Sequence, residues 1–123
     1  MSDYRIKFYQ KSSTGEEPVN EYLVALRPNE RVKITRFIEL LRLGEGKLPQ
    51  PYSKHVQNKL WELRVKFSPF DHRVLYVVVF DKVIVLLHAF AKKTEKTPPK
   101  EIERAEECYL EVLNNKNYHE KAD

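Results

Sequence analysis

The chain has 123 residues, of which 41% are hydrophobic and 33% charged, with a formal net charge of +4 and one cysteine. That length suits a single domain, since domains cluster at about 100–150 residues, and one cysteine excludes both an internal disulfide and a thiolate zinc site. The longest apolar run, Val74 to Phe80, falls far short of the ~20 residues that cross a bilayer, and no signal peptide is read, so the expected location is cytoplasmic with no membrane partner.

Tyr4 to Tyr9 alternates apolar and polar residues and predicts a short first strand, which Ser12-Ser13-Thr14-Gly15 ends. Glu16-Glu17-Pro18 opens a helix carrying Val19, Tyr22, Leu23 and Leu26 on one face. Pro28-Asn29 closes it and begins a second helix, with Asn29 as N-cap, Ile34, Phe37, Ile38 and Leu41 as its stripe, and Gly44 as its stop. Gly44 to Ser53 reads as a loop.

Strands dominate from there. Trp61, Leu63, Val65 and Phe67 alternate with Glu62, Arg64 and Lys66, which predicts a half-buried strand with a charged outer face. His72 to Phe80 and Val83 to Phe90 are apolar almost throughout, as strands buried on both faces are, and Asp81-Lys82 joins them as a tight hairpin. A last helix starts at Thr97-Pro98-Pro99, with Ile102, Ala105, Tyr109, Val112 and Leu113 as its apolar stripe, and a polar tail follows from about residue 114. Cys108 reads as a small apolar position of that helix. The expectation is one α+β domain over residues 1–123, in the order β-α-α-β-β-β-α.

The basic charge is concentrated. Residues 54–96 carry 9 Lys and Arg against 4 Asp and Glu, whereas residues 97–123 carry 4 against 7. A field localised in this way favours a polyanion. If the three strands pair in sequence as antiparallel neighbours, Arg64, Arg73, His88 and Lys92 or Lys93 share one surface, with Lys54 and His55 supplied by the preceding loop.

Such a set suits RNA cleavage without a metal. A ribose 2′-OH attacks the adjacent phosphate in line, which requires a proton acceptor, cations around the phosphorane and a proton donor for the 5′-oxygen. Arginine forks match phosphate oxygens, histidine moves protons near neutral pH, and preset cations stabilise the developing charge. Against this, Arg64 and Lys66 also fit a solvated strand face, His88 a hydrogen-bonded core histidine, and Lys92 to Lys96 a charged loop. His55 and His72 carry weaker signals for a direct role, and His119 in the tail reads as incidental. Tyr52, Tyr76 and Phe90 are aromatic rings that could stack on bases. No ligand spacing points to a metal, no glycine-rich loop points to a nucleotide, and no cofactor or small-molecule ligand is expected.

Leu60-Trp61-Glu62-Leu63-Arg64, Arg73-Val74-Leu75-Tyr76, Leu87-His88-Ala89-Phe90 and Lys92-Lys93-Thr94-Glu95-Lys96-Thr97-Pro98 together resemble the phage-derived, Gp49-like branch of the RelE/HigB toxins. The resemblance runs from about Tyr4 to Leu113. It implies a twisted, largely antiparallel sheet packed against helices, and the toxin half of a type II toxin–antitoxin pair. The implied activity is an endoribonuclease that cuts messenger RNA at the ribosome, docked on ribosomal RNA, and so inhibits translation. The implied partner is a helix-turn-helix antitoxin. On this resemblance Arg64, Arg73, His88, Lys92 and Lys93 are the expected catalytic group and Lys54 an RNA backbone contact, while the basic and aromatic pattern adds His55, Lys66, Phe90 and Lys96 as expected RNA contacts. Two other readings keep the fold: a ParE-like inhibitor that binds DNA gyrase without catalysis, and a catalytically silent RNA-binding prophage remnant.

Overall fold

A computed structural model of the chain describes residues 2–92, 96–115 and 118. The elements are β1 (Arg5–Phe8), α1 (Pro18–Val24), α2 (Pro28–Leu43), β2 (Ser53–Gln57), β3 (Leu60–Phe67), β4 (Phe70–Val79), β5 (Val83–Lys92) and α3 (Pro99–Asn114). The strands form one sheet in the order β1-β5-β4-β3-β2. Only the β1–β5 pair is parallel.

Helices cover both faces of the sheet. On one side Leu23 of α1 and Ile34, Ile38 and Leu41 of α2 pack against Leu63, Val65, Val74, Ile84 and Leu86. On the other, Ala105, Cys108 and Val112 of α3 pack against Leu60, Leu75, Val77, Val85 and Leu87. β4 and β5 are therefore enclosed on both faces, which explains their nearly unbroken apolar sequences. No helix among the described residues is long and apolar enough to cross a membrane.

The α+β architecture agrees with the sequence expectation, with one strand added. β2 occupies Ser53–Gln57, where Lys54 and His55 were expected on the end of a loop. Its residues SKHVQ carry no apolar alternation because β2 is an edge strand, exposed along most of its length. Pairing to β3 defines it, and the register slips between His55 and Gln57. Lysine on such an edge discourages pairing with a further strand.

Smaller departures have local causes. The N-cap of α2 is Arg27 rather than Asn29, because Pro28 takes the first helical position where its missing N–H costs nothing. β4 begins at Phe70, extending the expected strand back past His72. Val79 pairs with Val83, so the β4–β5 turn holds Phe80 as well as Asp81 and Lys82, all at positive φ (45, 59 and 75°). In α3 the buried stripe is Ala105, Cys108 and Val112, while Leu113 is 39% exposed. Near the β4–β5 turn, Gly46 sits at φ +91°, and a Cβ there would lie 2.8 Å from Val78 Cγ2. Its carbonyl accepts the Tyr76 hydroxyl at 2.8 Å. Burial pushes that phenol up to about 12, so it remains a donor.

Candidate active site

The α3-facing side of β3 carries Glu62, Arg64 and Lys66 by simple alternation. Lys54 of β2 stands opposite Glu62. Arg73 of β4 stands opposite Arg64, and Phe90 of β5 opposite Arg73. Lys92 pairs with Asp71, two positions along from Arg73, which puts Arg73 and Lys92 about 7–8 Å apart on the diagonal between neighbouring strands.

Glu62 is the hub of this face. Its Oε1 lies 2.6 Å from Arg64 Nε and 3.6 Å from Arg73 Nη1. Its Oε2 accepts the Thr97 hydroxyl, and Thr97 Oγ1 accepts Arg73 Nη1 at 3.0 Å. The side chains of Arg73 and Glu62 are 0% and 1% exposed, that of Arg64 16%. Alternation alone assigns Glu62 to a solvated face, but the chain at Thr97 crosses that face and seals it. The available signal was an acid flanked by cations on the one strand face expected to bind a polyanion.

Above the hub lies a cleft of about 330 Å³ lined by Lys54, His55, Val56, Arg64 and Lys96, with Glu62 and Thr97. Three of the residues singled out in the sequence thus come together here, Lys54, Arg64 and Lys96, and His55 borders the cleft from the edge strand. His55 stands opposite Trp61, one position out of step with Lys54, so its ring lies toward the other side of the edge strand, where it meets the edge of Trp61 with centroids 5.4 Å apart and its Nε2 donates to the Asn58 carbonyl at 2.7 Å. A neutral imidazole held that way presents Nδ1 as the acceptor.

The other predicted residues sit elsewhere. Arg73 lies beneath the cleft, fully buried, rather than on its surface. His88 is opposite Leu75 on β5 and is not among the residues lining the cleft. Its Nε2 donates to Glu101 Oε1 of α3 at 2.7 Å, and it stacks on Phe90 with centroids 5.8 Å apart. Phe90 is only 8% exposed and belongs to the α3-side core. Lys92 ends β5 at the far side of Arg73, and Lys66 lines a neighbouring cleft. Lys93 and His119 lie outside the described residues.

His72 faces the opposite layer. It is 2% exposed, with Nδ1 2.7 Å from Tyr22 Oη and Nε2 2.7 Å from Glu30 Oε2. Burial, reinforced by the nearby Glu30 carboxylate, pushes the Tyr22 phenol up to about 12, so it stays protonated. This chain of bonds ties the α1–α2 hairpin to β4. Tyr76 is likewise wholly buried. Among the described residues no cluster of three or more His, Cys, Asp or Glu is arranged to hold a metal ion.

Residues 21–110 match the family described as phage-derived protein Gp49-like (DUF891). The chain belongs to that family. The Gp49-like family is a RelE-like toxin branch, and the matched span contains every residue lining the cleft. Membership points to a toxin-type function and implies an antitoxin partner. No curated protein matches the chain.

Proposed function

We propose that this Gp49-like chain is the toxin of a type II toxin–antitoxin pair and acts as a metal-independent endoribonuclease on messenger RNA, working at the ribosome. One observation carries the reading: Arg64, Lys54 and Lys96 converge on a single cleft over a buried carboxylate, with His55 at its rim. A scissile phosphate bound there meets the Arg64 guanidinium, which Glu62 fixes through Nε. Lys54 and Lys96 add the charge that stabilises the phosphorane. His55, at the rim with Nε2 engaged by Asn58, accepts the 2′-OH proton at Nδ1, and the Lys96 ammonium gives a proton to the 5′-oxygen as its bond to phosphorus breaks.

The remaining expected residues take supporting parts. Arg73 acts as a positioning residue, holding Glu62 and Thr97 from below. His88 and Lys92 form the β5 side of the basic surface that meets the message. His88 is braced by Glu101.

Expression of the chain without its antitoxin tests the proposal. The expected result is growth arrest with new 5′ ends inside translated messages by primer extension. Arrest with intact messages and lost DNA supercoiling would instead identify a gyrase inhibitor of the ParE kind. Unimpaired growth would point to a silent RNA-binding domain.

A further inference from the structure

Two residues, Arg64 and His55, each line two clefts. The central cleft shares Arg64 with a second cleft of about 410 Å³, formed by Lys33, Phe37, Tyr52, Lys66 and Asp71. It shares His55 with a third of about 370 Å³, whose lining includes Tyr4, Lys47, Lys59 and Trp61. The three therefore join in a row around the edge strand β2. Lys66 and Trp61, in the two outer clefts, are five positions apart on β3, about 17 Å at the rise of a strand.

Both outer clefts combine lysines with an aromatic ring. Tyr52 is 46% exposed and leans on Phe37 with ring centroids 5.6 Å apart. Lys33 and Lys66 flank it and outnumber Asp71. In the third cleft Lys47 Nζ stands 5.1 Å over the Trp61 ring, and with Lys59 it outnumbers Glu45. A basic track punctuated by aromatic faces suits single-stranded nucleic acid: phosphates follow the lysines and unstacked bases lie on the rings. A duplex keeps its bases stacked and cannot fold around a strand edge in this way.

We infer that single-stranded RNA threads all three clefts, with one nucleobase seated at Phe37 and Tyr52 on one side of the central cleft and another at Trp61 on the other. The inference rests on the ribonuclease reading and adds subsites to it. The Lys47 ammonium, lying on the indole, swings to a phosphate as the base takes its place. Bound substrate is thereby gripped on both sides of the linkage to be cut.

Fluorescence anisotropy with the full chain and uncleavable RNA, every ribose 2′-O-methylated, tests this. A decanucleotide should bind much more tightly than a dinucleotide. Tyr52→Ala should weaken the decanucleotide about tenfold or more, as loss of one stacked base does, and hardly change the dinucleotide. Lys47→Ala and Lys59→Ala should each lower the slope of log affinity against log salt by about 0.7. If Arg64→Ala weakens both probes but Tyr52→Ala and Lys47→Ala weaken neither, the outer subsites do not exist and the ribonuclease reading survives. If no variant affects either probe, the ribonuclease reading itself fails. Equal competition by polyglutamate in wild type and Tyr52→Ala would mean a bare charge field suited to an acidic protein, and would also overturn the inference.

Discussion

Arg73 and Glu62 are both buried, on adjacent strands, with Nη1 3.6 Å from Oε1 and the Thr97 hydroxyl bonded to each. An arginine in that position is held by the fold before it can serve any substrate. Read as part of a surface cluster, Arg73→Ala would abolish activity and spare stability. Burial reverses that expectation. Removing one partner strands a buried charge, which costs about 3–5 kcal/mol, so Arg73→Ala should lower the urea midpoint sharply. A midpoint within experimental error of wild type would show that Glu62 finds other compensation.

Arg64 separates from Arg73 in the same experiment. Its side chain is partly exposed at 16%, and Glu62 keeps Arg73 and Thr97 when Arg64 is gone. Arg64→Ala should therefore reduce kcat by about 10²–10³, the usual loss for one charge-stabilising donor, with little change in melting temperature. Arg64→Lys should restore little, because an ammonium lacks the planar fork. Full activity in Arg64→Ala would remove the cleft from the mechanism.

The two candidate histidines differ in where they stand. His55 lines the cleft, whereas His88 is engaged by Glu101 on β5. His55→Gln should remove the acidic limb of the pH profile of kcat/KM. His88→Gln should keep the shape of that profile and lower its height. The reverse pattern would move proton transfer to β5.

Glu111 provides a stability prediction away from the cleft. Its carboxylate accepts the Tyr9 hydroxyl at 2.8 Å and the Ser12 backbone N–H and hydroxyl at 3.2 and 3.0 Å, and these bonds, Tyr9 first, hold it below the ordinary glutamate value. A depressed folded-state pKa adds stability above the unfolded value and loses it as pH falls through the folded one. The wild-type urea midpoint should decline from about pH 4.3 downward for this reason. Tyr9→Phe should be less stable than wild type at pH 7, with the gap narrowing as the medium is acidified. A gap independent of pH would exclude the carboxylate as its source.

What the sequence disclosed follows from which forces leave a pattern in it. β4 and β5 were legible because burial on both faces demands unbroken apolar residues, and the meeting of Arg64 with Arg73 followed from antiparallel pairing alone. β2 was illegible because an edge strand needs no apolar alternation, so Lys54 and His55 looked like loop residues. Glu62 was assigned to solvent because strand periodicity gives a side chain's face but not what crosses over it. His88 looked catalytic for a related reason: nothing in LLHAF announces that Glu101, 13 positions on, will take its Nε2.

The most direct measurement is the end chemistry of RNA cut by the purified chain, on translating ribosomes and on naked message after chelator treatment of the chain. Attack by the 2′-OH, promoted by the residues of the Arg64 cleft, predicts fragments ending in a 2′,3′-cyclic phosphate, formed on translating ribosomes by the chelator-treated wild-type chain and lost in Arg64→Ala. Fragments ending in a 3′-hydroxyl, or cleavage undiminished in Arg64→Ala, would contradict it.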